Sequence, residues 1–494
     1  MQIDIHQLTQ QFLYDPKNPL LFNNGFFVFF FAMFMLVYYL FRNNQQWRTY
    51  ATCFFSLYFF YKASGSFVWL VVISAIVDYM LSNGIYRTQH KGYKRLLLMI
   101  SVVINLGLLF YFKYTNFFIA LSNDVLATKF NPLNILLPVG ISFYTFENLS
   151  YTIDVYRGEF EPIRKFSRYL LFLSFFPKLV MGPIVRAKDF IPQLAKPEYT
   201  LSEEDFTRGF YLIVSGLFKK LVISDYITLN LVNYVFDNPA RYTGLECLLA
   251  VYGYAIVIYC DFSGYSDVAI GMAKWLGINI PANFNLPYKS KSITEFWKRW
   301  HISLSSWLQD YLYIFALGGN RKGYYRTYVN LVITMLLGGF WHGAKWTFIV
   351  WGALHGLALV FHKVWMQRFP ANKQEPGSVL RQFLFVFITF NWVCLCWVFF
   401  KADTVHTAFV FIQQICMHFN VQVYPIVMAH YRSVVCMILL GYLIHAVPKT
   451  WMDRFCIRIQ SAPLVLHVLI FAVTIFIYLQ LKSAEPVMPI YLQF

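Results

Sequence analysis

Charge is what this chain has least of. Asp, Glu, Lys and Arg make up 13% of its 494 residues, while 58% are hydrophobic and 20% aromatic. Globular chains average roughly a quarter charged residues, so this balance excludes an ordinary soluble domain and points to a polytopic membrane protein. Paired cysteine is also missing. The 8 cysteines carry no CxxC spacing, and Cys394 and Cys396, two apart, point to different sides of a helix. They read as apolar packing, with neither a disulfide nor a metal site implied. No short apolar leader with a small-residue cleavage site is seen; the polar stretch 1–20 runs directly into a long apolar span.

The common soluble-enzyme signatures are absent as well. There is no GxxxxGK[ST] phosphate loop, no GxSxG elbow and no HExxH zinc helix. No histidine is followed by Asp at the fifth position, which excludes the soluble-faced glycerolipid acyltransferases.

What is present is hydrophobic length. Apolar windows occur at 21–41, 66–82, 96–112, 132–155, 169–185, 209–236, 246–275, 327–341, 344–366, 380–400, 432–447 and 463–481, with a short one at 49–61. Since about 20 apolar residues cross a bilayer as a helix, the expectation is an all-α polytopic protein with roughly ten to twelve crossings. The chain reads as a single membrane domain over 1–494, with N-terminal spans to 130, a core at 131–366 and C-terminal spans from 367.

The net charge of +17 sits in short gaps between apolar windows, not along one exposed face, which argues against nucleic acid. Anionic headgroups or an anionic thioester donor suit it better. Arg42 and Arg48, then Arg87, Lys91, Lys94 and Arg95, then Arg157, Arg164, Lys165 and Arg168 alternate with poorer loops. The positive-inside bias then places the N-terminus outside. Region 276–326 fits no simple hairpin: Asn279, Pro281, Asn283, Asn285 and Pro287 precede an amphipathic stretch and the run GGNRKG at 318–323. It reads as re-entrant or interfacial backbone beside a cavity.

Titratable groups inside apolar text are the functional candidates, because charge at membrane depth is costly. His342 lies in NLVITMLLGGFWHGAKWTFIVWGALHG, residues 330–356. Imidazole is suited to moving protons near neutral pH. Gly338 and Gly339 just before Trp341 would permit a helix break beside the ring. The bland alternative is a buried histidine bonded across helices, and it fits His355 and His362 better. His301 lies beside Arg299, Trp300 and Ser303, a mixture that fits either an interfacial helix or a phosphate-bearing donor, with Arg321 and Arg326 nearby in sequence. Asp261 and Asp267 close an apolar stretch and require partners or water; Asp225, Glu147 and Asp154 are further buried-acid candidates.

Several long segments together resemble one family. They are LPVGISFYTFENLSYTIDVYRG at 137–158, FPKLVMGPIVR at 176–186, IYCDFSGYSDVAIGMAKWLG at 258–277, NFNLPYKSKSITEFWKRWHISLSSWLQDYLYI at 283–314, the whole of 317–356 and the closing PIYLQF. The text resembles the membrane-bound O-acyltransferase (MBOAT) family, in its bacterial branch of alginate O-acetylation and D-alanyl transfer proteins. That resemblance implies a helical bundle thinned at its centre. It makes His342 the catalytic residue and His301 a second functional histidine. It implies acetyl-CoA, or another acyl thioester, as a cytoplasmic donor substrate and no bound cofactor. A periplasmic partner protein would finish transfer to a polysaccharide, and the site would be the inner membrane.

On this reading neutral His342 takes the proton of an acceptor hydroxyl as it attacks the thioester. Burial would keep the ring neutral. His301 would orient the donor or assist the leaving thiolate. Arg299, Arg321 and Arg326 would hold donor phosphates, with Trp300, Ser303, Trp341, Asp225, Asp261 and Asp267 as further binding candidates. Lys345, after WHGA, departs from the family's small or acidic neighbours and bears on donor choice. Competing readings are D-alanyl transfer to teichoic acid, a proton-coupled transporter or flippase without acyl chemistry, and an export scaffold.

Overall fold

The computed structural model describes residues 11–492 apart from 17, 18, 23, 322, 370–377 and 482–487. The first ten residues and the last two of PIYLQF fall outside that set. Among the described residues every regular element is helical, as expected.

Among the described residues, five helices are long and apolar enough to cross a membrane: Gln45–Arg87, Lys91–Leu126, Gly244–Trp275, Trp346–Arg368 and Val379–Lys401. A sixth candidate, Val421–His430 with Arg432–Ala446, is bent by 87°. The remaining apolar windows do not each become one straight helix. The window at 132–155 begins as irregular chain and turns helical only at Ile141–Arg157, buried from Ile141 to Val155. The 169–185 window divides at Phe175 into Phe166–Ser174 and Phe176–Leu179, with Pro177 in the first turn of the second, where its missing N–H is tolerated. The 209–236 window is interrupted by wide π-helical turns at Phe218–Ser224 and Thr228–Val232. A segment packed inside protein is apolar without having to span.

The chain divides into two compact units. One comprises Met1–Phe210 with Val268–Pro281, the other Tyr211–Asp267 with Ala282–Phe494. In the first, a polar core holds buried Asp78, which accepts from Ser101 and from Asn105 at 2.7 Å. Asn148 bonds Asn105 at 3.2 Å and receives the Tyr169 hydroxyl at 2.6 Å. Glu147 pairs with Lys178 and accepts the Val185 N–H at 3.1 Å. Polar groups at this depth are tolerated because they bond one another.

In the second unit, helices Gly323–His342 and Trp346–Arg368 form the closest-packed pair. The Gly338–Gly339 pair itself stays helical, and the break expected beside the ring falls directly after His342. A Cβ at Gly339 would meet the Phe348 carbonyl oxygen at 2.3 Å, and one at Gly352 would meet that of Met335 at 2.4 Å. The glycines let two backbones touch, the small-residue packing that membrane helices favour. The first helix then ends at His342 itself.

Also in this unit, Lys219 and Lys220 are consecutive, yet both reach acids of the Gly244–Trp275 helix. Lys219 pairs with Asp267 and contacts Ser263 at 3.1 Å. Lys220 sits 2.5 Å from Asp261 and 2.7 Å from Asp225.

Candidate active site

His301 and His342 meet within the second unit, and the irregular stretch expected at 276–326 explains how. Asn285 N–H donates to the Arg299 carbonyl at 2.9 Å, and Ile302 N–H donates to the Asn283 carbonyl at 2.9 Å. This short pairing of the irregular 283–285 stretch with the junction between helices Ile293–Arg299 and Ile302–Trp307 presents His301 at the cap of the second with φ of 43°. Left-handed backbone is uncommon outside glycine, and such strained positions concentrate at functional sites.

Asn283 sets the chemistry of that ring. Its Oδ1 accepts the Ser303 backbone N–H at 3.2 Å and the Ser303 hydroxyl at 2.8 Å, and lies 3.2 Å from His301 Nδ1. A backbone N–H is only a donor, so the contact identifies this amide atom as the oxygen. His301 must therefore donate from Nδ1, which leaves Nε2 deprotonated in the neutral ring. Nε2 is buried and has no hydrogen-bond partner among the described residues. Burial pushes the imidazole's pKa down, favouring the neutral form.

His342, 4% exposed, approaches from the end of its helix. The last carbonyls of a helix carry partial negative charge, which favours positive charge developing on a ring there. Aromatic rings bridge the two imidazoles. The Trp341 ring lies 5.0 Å from His342 and 6.3 Å from His301, and the Tyr491 ring lies 5.6 Å and 6.1 Å from them. Phe262 stands edge-on to His301 at 4.6 Å; Trp351 and Phe400 flank His342 at 5.1 and 5.3 Å. The two imidazoles thus share a surround of low polarity, where a developing charge interacts strongly with the few groups present.

Tyr491 arrives from the closing segment, which is tied down by the buried acid: Asp261 accepts the Ile490 N–H at 3.0 Å while facing Lys220. Asp261 and Asp225 therefore share one lysine, and Asp267 holds the other. Ser303 serves Asn283. Trp300 packs on Trp397 and Phe284, both at 5.0 Å. Arg299 pairs along its own short helix with Glu295 at 2.7 Å, and Arg321 and Arg326 are exposed. His355, beside Trp351 at 4.7 Å, is buried behind the same aromatic wall, and His362 bonds Thr294 at 2.9 Å.

Sequence reasoning assigned no role to Asn283 or Tyr491, although both lie in quoted motifs. Among the described residues no cluster of three or more metal-ligating side chains occurs.

The description of the membrane-bound O-acyltransferase family matches residues 162–402. A peptidoglycan O-acetyltransferase of Helicobacter pylori is 37% identical over 378 residues, covering 72% of this chain and 71% of that protein. A probable alginate O-acetylase of Pseudomonas putida is 39% identical over 395 residues, 78% of each. A teichoic acid D-alanyltransferase of Bacillus subtilis is 29% identical over 290 residues, 56% of this chain and 71% of that one. The chain belongs to the membrane-bound O-acyltransferase family and is a multi-pass membrane acyltransferase.

Proposed function

We propose that the protein moves an acetyl group from a cytoplasmic thioester, acetyl-CoA, to a hydroxyl on an extracytoplasmic polysaccharide or on a partner protein that completes the transfer. The observation that carries this is that two imidazoles share the same neighbouring rings, Trp341 and Tyr491, with His301 held in a single tautomer by Asn283. The acetyl reading draws on the two relatives at 37% and 39% identity whose names specify O-acetyl transfer, against 29% for the D-alanyltransferase. The cytoplasmic membrane, with the N-terminus outside, follows from the loop charges.

In the proposed step, His342 accepts the proton of the acceptor hydroxyl as its oxygen attacks the thioester carbonyl. The new C–O bond forms, the C–S bond breaks, and the imidazolium returns the proton to the departing thiolate. The Nδ1–H tautomer gives His301 an accepting Nε2, so it holds a substrate hydroxyl or N–H and does not protonate the thiolate. Trp341 and Tyr491 exclude water, which would otherwise hydrolyse the thioester. Arg299, paired with Glu295, is left with a weaker claim on donor phosphate than Arg321 and Arg326 have.

The test uses purified protein in nanodiscs with radiolabelled acetyl-CoA and a soluble polysaccharide acceptor. Wild type should yield alkali-labile label on the acceptor and His342→Ala should not. Equal labelling by the variant would remove His342 from the reaction. Label transferred only from a D-alanyl carrier-protein thioester would replace the donor.

A further inference from the structure

The first unit holds a polar cavity that none of the chemistry above uses. It encloses about 80 Å³, room for several waters or a small anionic group, since one water needs roughly 10–15 Å³. It opens along the first two turns of the helix beginning at Gln45, where Gln45, Arg48, Thr49 and Thr52 share a face at helical spacing. That helix is polar on the inside and apolar on the outside. Arg48, Thr49 and Thr52 are buried, while Trp47, Tyr50 and Phe54 are 54%, 41% and 74% exposed. In a lipid-facing helix an inward polar stripe marks a wet or ligand-filled space. Outward aromatics on the same two turns fit a position at the headgroup level.

Arg48 is the decisive group. It is 7% exposed, and its Nη2 donates to the Lys196 carbonyl at 2.6 Å while Nη1 donates to that of Arg42. Those bonds tie the 193–199 segment to the helix, a structural task, but they satisfy geometry and not charge. Among the described residues no carboxylate pairs with Arg48. Asp205 is taken by Lys274 at 3.0 Å, and Glu198 stands exposed at the rim. A buried cation without a counter-ion is costly. The exposed Lys196 adds a second cation, and the rings of Tyr38 and Tyr199, 4.9 Å apart, wall the cavity.

We propose that this cavity binds a phosphate group, with the Arg48 guanidinium as its buried contact and Lys196 at its mouth. The phosphate belongs either to an anionic phospholipid headgroup or to a soluble phosphate ester. Arg matches phosphate geometry and stays charged at any working pH.

The experiment takes the full-length protein, delipidated in a maltoside detergent that contains no phosphate. One arm titrates phosphatidylglycerol and the other adenosine 3′,5′-bisphosphate, each read by native mass spectrometry. One arm should show a single saturable site whose affinity falls by about tenfold or more in Arg48→Gln and less in Lys196→Gln, the scale of one charged hydrogen bond. Arg48→Lys should retain part of it. Which arm responds identifies the source of the phosphate. Lys196 is exposed, so its variant reports even should Arg48→Gln fail to fold. No saturable site in either arm, or affinities unchanged by both substitutions, overturns the proposal.

Discussion

Asn283 Oδ1 lies 3.2 Å from Nδ1 of His301 and at the same distance from the Ser303 backbone nitrogen. One amide oxygen thus receives a backbone donor and dictates which imidazole nitrogen keeps its proton. Replacing Asn283 with Leu should free the tautomer and lower kcat by about 10²-fold, the order contributed by one well-placed proton-transfer group. Asn283→Asp, which preserves an accepting oxygen, should recover much of that with little change in KM. Steady-state kinetics of the two variants checks it; equal losses would reduce Asn283 to packing.

Burial lowers the His301 pKa, and the sign has a consequence. The ring should remain neutral as pH falls through the ordinary imidazole range near about 6.5. Nitrogen-15 imidazole spectra of selectively labelled protein, with His301→Gln identifying the signal, should show no titration there. A protonation midpoint at the usual value would contradict the buried, singly bonded ring.

Lys220 is shared by Asp225 and Asp261. Lys220→Met should leave two buried carboxylates without a cation and destabilise the protein by about 3–5 kcal/mol. Adding Asp225→Asn and Asp261→Asn to that variant should recover most of the loss. Thermal unfolding in detergent measures both, and a triple variant no better than the single one would refute the charge argument.

A methyl group has no room at Gly339 or Gly352. Gly339→Ala should push apart the two helices that end and begin around His342, costing about 2 kcal/mol or more and lowering activity beyond the loss of folded protein. Gly158→Ala, where a Cβ meets nothing within 4 Å but φ is 74°, isolates backbone strain from crowding. Activity per folded molecule should fall only in the Gly339 variant.

Hydrophobic length and two isolated imidazoles were visible in the sequence, since apolar composition and histidine at depth are local signals. The pairing of Asn283 with His301 was not: it depends on two backbone bonds between an irregular stretch and the junction of two short helices, which no periodicity announces. Tyr491 lies in the closing PIYLQF motif, yet its chain position gives no hint that its ring lies beside two histidines far upstream. Arg299 drew attention as a phosphate ligand, although Glu295 four residues earlier was there to be read as its partner. The glycines before His342 mark the break beside the ring, but the facing backbone that demands them belongs to another helix and leaves no local signal.

The stretch Phe218–Ser224 carries one more thing. By winding in a wider spiral it turns two neighbouring ammonium groups toward carboxylates six positions apart on a single opposing rod. Shortening that stretch by one amino acid would rotate everything after it by about 100° relative to what precedes it, as ordinary helical winding requires. The chain could then keep one lysine's partner but not both. Length there is as constrained as residue identity, so single-codon deletions across 218–224 should prove far less tolerated than most point changes at the same positions.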